Sequence, residues 1–208
     1  MPEPLTDRLF DDADADPIDP LALFEEWFEL ARTNETNDAN AMAIASVDAD
    51  GMPDVRMVLL NQRDERGFCF FTNFESEKGR QLLDQPRAAL LFHWKSIRRQ
   101  VRMRGSLEEV TKAEADAYWN RRPKGSQIAS AVSQQSRPLE SRARLAAAVA
   151  ERTAVVGEGA VERPPHWSGF RLMPQAIEFW KDGAFRLHDR VRFTRDDWGN
   201  WTRQRLYP

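Results

Sequence analysis

Cysteine occurs once in the 208 residues and histidine three times, and these scarcities remove several chemistries at the outset. Cys69, inside Phe68-Cys69-Phe70-Phe71, permits no intrachain disulfide and no cysteine-based metal cluster, which fits a reducing, cytoplasmic setting. His93, His166 and His188 are not spaced as metal ligands, and Cys69 has no basic neighbour in sequence to activate it, so no metal is expected. No run approaches the roughly 20 apolar residues that cross a bilayer, and no basic start with an apolar core opens the chain, so neither a membrane nor an export signal is expected. Neither a G-x-G-x-x-G nor a G-x-x-x-x-G-K-[ST] loop occurs, so any nucleotide-like phosphate must be held by side chains. Charge of one sign is lacking too. With 30 basic and 33 acidic residues the formal net charge is -3, and no field draws in nucleic acid. The basic run Arg98-Arg99-Gln100-Val101-Arg102-Met103-Arg104 is followed at once by Glu108 and Glu109, which argues against a nucleic-acid patch.

Large aromatics are abundant instead. Seven tryptophans and twelve phenylalanines exceed what solvent would tolerate, so most must lie in a core, a subunit interface or a ligand pocket, and a dimer is expected. The length suits one sizeable domain. Residues 1–19 hold six aspartates and three prolines and read as a mobile arm, leaving 20–208 as a single domain. Asp19 caps a helix that begins at Pro20 and presents Phe24, Trp27, Phe28 and Ala31 on one face.

From Ala41 the rhythm turns to strands, expected over 41–47, 55–60 and 68–72, with turn chemistry at Asp48-Ala49-Asp50-Gly51. Ser76 caps a short helix that Pro86 stops, and strands return over 88–94 and 100–110. Thr111 and Glu114 form a capping box for a helix through Arg121, and further helices are expected over 125–132 and 139–155. Three more strands are expected over 169–172, 176–180 and 185–193. The order predicts a mainly β (α+β) fold, a closed antiparallel barrel with helical decoration.

Basic groups stand at strand and loop positions: Arg56, Lys78, Arg122 beside Ser126, and the group Arg186-Leu187-His188-Asp189-Arg190. On a strand, Arg186, His188 and Arg190 would share a face, which suits an anionic ligand or, equally, a solvated cross-strand charge face.

Taken in order, Arg56-Met57-Val58-Leu59-Leu60, Phe71-Thr72-Asn73, Lys78-Gly79, Arg99-Gln100-Val101, Arg122-Pro123, Ser126-Gln127-Ile128, Gln135-Ser136-Arg137, Ile177-Glu178-Phe179-Trp180 and Arg186-Leu187-His188-Asp189-Arg190 resemble the pyridoxamine 5'-phosphate oxidase family, colinearly over 19–208. The resemblance implies a split β-barrel that dimerises with FMN at the subunit interface. It implies FMN binding by Arg56, Met57, Val58, Leu59, Leu60, Phe71, Thr72, Lys78, Gln100, Gln135, Ser136, Trp180 and Arg190. Tyr118, Arg122 and Ser126 would hold the phosphate of a pyridoxamine or pyridoxine 5'-phosphate substrate, with Arg186, Leu187 and His188 over its ring. Arg186 and His188 would be catalytic, and dioxygen the oxidant. Asp38 also matches a position near the active site.

Two residues depart from that family's pattern. Asn61 stands where the family usually has a lysine on the substrate phosphate, and Glu77 where many members have a basic or amide residue beside the FMN phosphate. The first substitution leaves open a related flavin oxidase acting on another aromatic substrate of the phenazine-precursor type, or a non-catalytic flavin-binding protein.

Overall fold

The computed structural model describes residues 5–11 and 17–208. Part of the expected arm, 1–4 and 12–16, lies outside the described residues. Within it, α1 (Leu5–Leu9) is a short helix with Leu9 in the core. Glu26 accepts from the Leu5 and Thr6 amides at 2.8 and 3.0 Å, and Trp27 Nε1 donates to Thr6 Oγ1 at 2.8 Å. The Glu26 acceptor and the Trp27 donor that hold α1 both come from α2 (Pro20–Asn34), which Asp19 caps through a 2.9 Å bond from the Leu21 amide.

α2 buries Leu23, Phe24, Trp27, Phe28 and Ala31, the apolar face read from the sequence. Phe24 packs edge-on to Phe68 at 4.9 Å and beside Phe92 at 5.3 Å, while Trp27 meets Phe179 edge-on at 5.1 Å. Each of these buried rings contributes about 2 to 3 kcal/mol, so the helix is the plug of the sheet it lies in.

That sheet has nine strands, every pairing antiparallel: β1 (Ala41–Val47), β2 (Pro53–Leu59), β3 (Gln62–Asp64), β4 (Gly67–Asn73), β5 (Arg87–Trp94), β6 (Arg99–Glu109), β7 (Trp167–Lys181), β8 (Asp189–Arg195) and β9 (Trp201–Arg205). Its main path runs β2-β1-β5-β6-β7-β4-β3. β7 pairs with β6 along one edge and divides its other edge, β4 taking 167–172 and β8 taking 176–181. This fork makes the curled sheet a split barrel.

Between the strands stand α3 (Glu77–Asp84), α4 (Lys112–Arg121), α5 (Lys124–Val132) and α6 (Arg142–Val156). Ser76 caps α3 through the Gly79 amide at 3.1 Å, and the Thr111–Glu114 capping box is complete at α4.

Three expectations need correction. The strands expected over 169–172 and 176–180 are one strand, because a register shift at Arg104/Gly105 on β6 accommodates Pro174, which has no amide to donate. The helix expected from 139 starts at Arg142, where the Ser141 hydroxyl accepts from the Arg144 amide at 3.1 Å. The strand expected over 185–193 begins only at Asp189: Phe185 and Arg186 have φ of 55° and 64°, and Ala184–Arg186 is a single 3-10 turn. Arg186, His188 and Arg190 therefore do not share a strand face. β3 and β9 were not anticipated.

Candidate functional site

A cleft of about 410 Å³ opens where the ends of β2 and β4, the start of α3, the end of α4 and the C-terminal half of α5 converge. Met57, Val58 and Leu59 form one wall, Phe71 and Thr72 the floor, and Lys78, Tyr118, Arg122 and Gln135 bring polar groups into it. Tyr118 is fixed from its ring faces. Phe71 stacks on it at 4.2 Å with 10° between planes, and Trp167 lies parallel to Phe71 at 5.4 Å. Arg122, at the C-cap of α4, lies over Trp167 and Trp119 at 4.8 and 5.3 Å and donates to Ser130 Oγ at 2.9 Å.

The electrostatics are those of an anion site. Lys78 Nζ donates to Gln135 Oε1 at 3.1 Å and is within 3.4 Å of Ser76 Oγ, but among the described residues no carboxylate pairs with it or with Arg122. Burial, with the Arg56 cation adding to it, lowers the Lys78 pKa, and burial lowers that of Arg122. Arg122 Nη1 is buried without a hydrogen-bond partner. Unpaired buried donors of this kind are costly until an acceptor arrives, so the cleft fits a phosphate-bearing group.

Several sequence candidates stand elsewhere. Arg56 sits behind the cleft, bonded to Asp54, Ser46 and Gln81. Leu60 points into the core, Ser126 is exposed on the first turn of α5, and Ser136, with φ of 70°, accepts from the Glu77 amide at 3.2 Å. Glu77 itself is exposed, as a carboxylate beside a phosphate would have to be.

Gln100, Trp180 and Arg190 line a second cleft of about 260 Å³ with Leu91, Arg102, Glu178 and Pro208, sharing no residue with the first. Arg190 is held there by Glu178 at 2.7 Å and by the Tyr207 carbonyl at 2.9 Å. His188 lies beside Trp180, ring centres 4.7 Å apart, while Arg186 and Leu187 project from the turn into solvent. Asp38 lines a third hollow with Asn37, Asn40 and Arg63.

Sequence reasoning missed Asn73, Ala129, Ser130, Ser133 and Trp167 in the first cleft. Ser130 lies one helical turn past Ser126, a signal that the i, i+4 spacing carried.

Fold and cleft together define an antiparallel split-barrel protein with a cleft lined by Lys78 and Arg122. Residues 31–155 match the family described as "Pyridoxamine 5'-phosphate oxidase", and residues 167–208 match "Pyridoxine 5'-phosphate oxidase C-terminal dimerisation region". The chain belongs to the pyridoxamine 5'-phosphate oxidase family. A pyridoxine/pyridoxamine 5'-phosphate oxidase of Azorhizobium caulinodans is 58% identical over 206 residues, covering 99% of this chain and 95% of that one. Among solved structures, PhzG from Burkholderia lata 383 in complex with tetrahydrophenazine-1-carboxylic acid superposes with a TM-score of 0.88 at 32% identity, covering 96% of this chain and 97% of that chain. An FMN-binding, pyridoxamine 5'-phosphate oxidase-related protein of Nostoc punctiforme shares the fold, with a TM-score of 0.76 at 18% identity over 92% of this chain and 98% of that one.

Proposed function

We propose that the protein is a cytoplasmic, homodimeric FMN-dependent oxidase that converts pyridoxamine 5'-phosphate or pyridoxine 5'-phosphate to pyridoxal 5'-phosphate while dioxygen is reduced to hydrogen peroxide. The observation that carries this reading is the first cleft, where Lys78 and the unpartnered Nη1 of Arg122 face no carboxylate among the described residues. Residues 20–208 are the flavin-binding unit.

In this reading Lys78, Gln135, Ser136 and Thr72 hold the FMN phosphate and ribityl chain, with Arg56 adding positive potential from behind. When bound, FMN supplies the hydride acceptor for the substrate carbon and is reoxidised by dioxygen. Tyr118 and Arg122, assisted by Ser126, fix the substrate phosphate, so the reacting carbon is oriented rather than free to tumble. Gln100, Trp180 and Arg190 belong to the second cleft. Trp167 and Trp180 are separated along β7 by roughly 40 Å at strand rise, so we place a second copy's cleft against the first to complete each site. The exposed apolar stripe Val55, Met57 and Leu59 on β2, beside the first cleft, supports that contact. Arg186 and His188 then cover the substrate ring. His188 Nδ1 is 3.2 Å from both the Gly183 amide and Asp182 Oδ1, so Nε2 is the nitrogen left for the substrate.

The likeness to PhzG and the loss of a lysine at Asn61 support, as a second reading, oxidation of an aromatic substrate without phosphate. An anaerobic titration of the FMN-loaded protein with pyridoxamine 5'-phosphate separates the two. Loss of oxidised-flavin absorbance, restored by air with formation of pyridoxal 5'-phosphate, is the expected result. Flavin that stays oxidised at saturating substrate overturns the first reading.

A further inference from the structure

Asn61 occupies the wall between β2 and β4 at the point where the family pattern loses a cation. Its own amide donates to the Cys69 carbonyl at 2.9 Å, which anchors the residue to β4. Its side chain makes two bonds. Oδ1 accepts from the Phe71 amide at 3.2 Å, and Nδ2 lies 2.5 Å from Tyr118 Oη. A backbone N–H can only donate, so the oxygen of the Asn61 amide must be the atom facing Phe71, and the NH2 must face Tyr118. An amide NH2 only donates, so Tyr118 Oη is the acceptor of that bond.

A phenol has one proton, and Asn61 cannot take it. The remaining polar groups of the cleft near Tyr118 include Arg122, also a pure donor. Stacking against Phe71 on a parallel plane keeps the ring from swinging away. We propose that Asn61 is a positioning and specificity-determining residue: it orients Tyr118 as an obligate hydrogen-bond donor toward an acceptor oxygen of the bound ligand.

This rests on the reading of the cleft as the subsite for the substrate phosphate. It states how the chain compensates for the missing lysine: by replacing one ionic contact with a directed neutral donor. Recognition at this wall then depends on the direction of the Tyr118 hydroxyl bond.

The test uses the FMN-loaded dimer and four variants: Asn61→Leu, Asn61→Asp, Tyr118→Phe and the double variant Asn61→Leu/Tyr118→Phe. Asn61→Asp still accepts from the Phe71 amide but takes the Tyr118 proton away from the cleft. FMN binding is followed by flavin fluorescence and verifies the folded site. Ligand affinity is read by calorimetry with 4'-deoxypyridoxine 5'-phosphate, which keeps ring and phosphate without the reacting heteroatom, and KM and kcat are read with pyridoxamine 5'-phosphate.

Asn61→Leu should weaken analogue binding and raise KM about tenfold, the usual consequence of losing one directed hydrogen bond, with kcat and FMN affinity within about twofold. Asn61→Asp should weaken binding further. In the Tyr118→Phe background, Asn61→Leu should cost nothing more, because the two residues act as one unit. Unchanged analogue affinity in Asn61→Leu, or losses that multiply in the double variant, overturns the inference. Wild-type protein that binds FMN and the analogue but does not oxidise pyridoxamine 5'-phosphate overturns the proposed oxidase activity and leaves the Asn61 comparison readable by calorimetry. Wild-type protein that binds no phosphorylated analogue overturns both.

Discussion

Glu114→Gln probes what holds α4, and with it Tyr118 and Arg122, against the sheet. Glu114 Oε1 accepts from Arg171 Nη2 at 2.8 Å and from Arg66 Nη2 at 2.9 Å, while Oε2 accepts from the Thr111 amide and hydroxyl at 2.8 and 2.9 Å. The Arg171 bond is the foremost reason that the Glu114 pKa falls from 4.5 to about 2. A displacement of that size corresponds to on the order of 3 kcal/mol at neutral pH. The Glu114 side chain is 22% exposed and Arg171 3%, so solvent screening trims the figure only in part. Glutamine keeps the shape and can still close the capping box, leaving the lost ion pair as the main difference. We expect Glu114→Gln to destabilise by about 2 kcal/mol at pH 7 in urea unfolding. The folded pKa is depressed, so the unfolded chain takes up the proton first. The stabilisation is fully present above about pH 4.5 and declines as pH falls toward about 2. The gap between wild type and variant should therefore narrow across that window. A gap below about 0.5 kcal/mol at pH 7, the range of ordinary surface substitutions, or one that stays constant on acidification, would refute the reasoning.

Two further outcomes follow from other parts of the chain. Burial pushes the Cys69 thiol up to about 11, so iodoacetamide at pH 8 should leave folded protein unlabelled and modify it promptly in urea; rapid labelling of the folded state would contradict the burial. In Gly79→Ala, the new Cβ would lie 2.5 Å from the carbonyl oxygens of Asn73 and Phe74. Backbone cannot yield there, so α3 must shift and carry Lys78 with it. Helix propensity alone would favour alanine by about 1 kcal/mol, yet we expect net destabilisation and an FMN dissociation constant raised about tenfold or more. A more stable variant with unchanged FMN binding would sink this account.

The parts of the fold legible in the sequence were those governed by local rules. Asp19 before Pro20, Ser76 before α3, and the Thr111–Glu114 box each cap the helix they were expected to cap, because a cap is a bond between residues two or three apart. The alternation of Val101 and Met103 with Arg102 and Arg104 is likewise the buried and exposed alternation of β6. Long-range facts were not legible. Whether Pro174 ends a strand depends on the register shift in β6 opposite it, and whether Arg186 joins a strand depends on a left-handed turn. That turn brings the position of a Gly183 Cβ within 1.9 Å of the Leu187 carbonyl oxygen.

Part of the candidate cleft was legible in the sequence, and its arrangement was not. Motif order places Lys78, Tyr118, Arg122 and Gln135 side by side in one cleft even though α3, α4 and the segment after α5 are far apart in sequence. The same motif order also groups Trp180 and Arg190 with them, whereas the structure puts these in another cleft. The reason is the length of β7. One end of this 15-residue strand is committed to β4 and the first cleft, and the other to β8 and the second, so the two sets line separate clefts of the chain. A resemblance records which residues act together in an assembly without recording which copy supplies each. The match of 167–208 to a dimerisation region fits that division, because this segment holds Trp180, Arg186, His188 and Arg190, four of the candidates that the first cleft lacks.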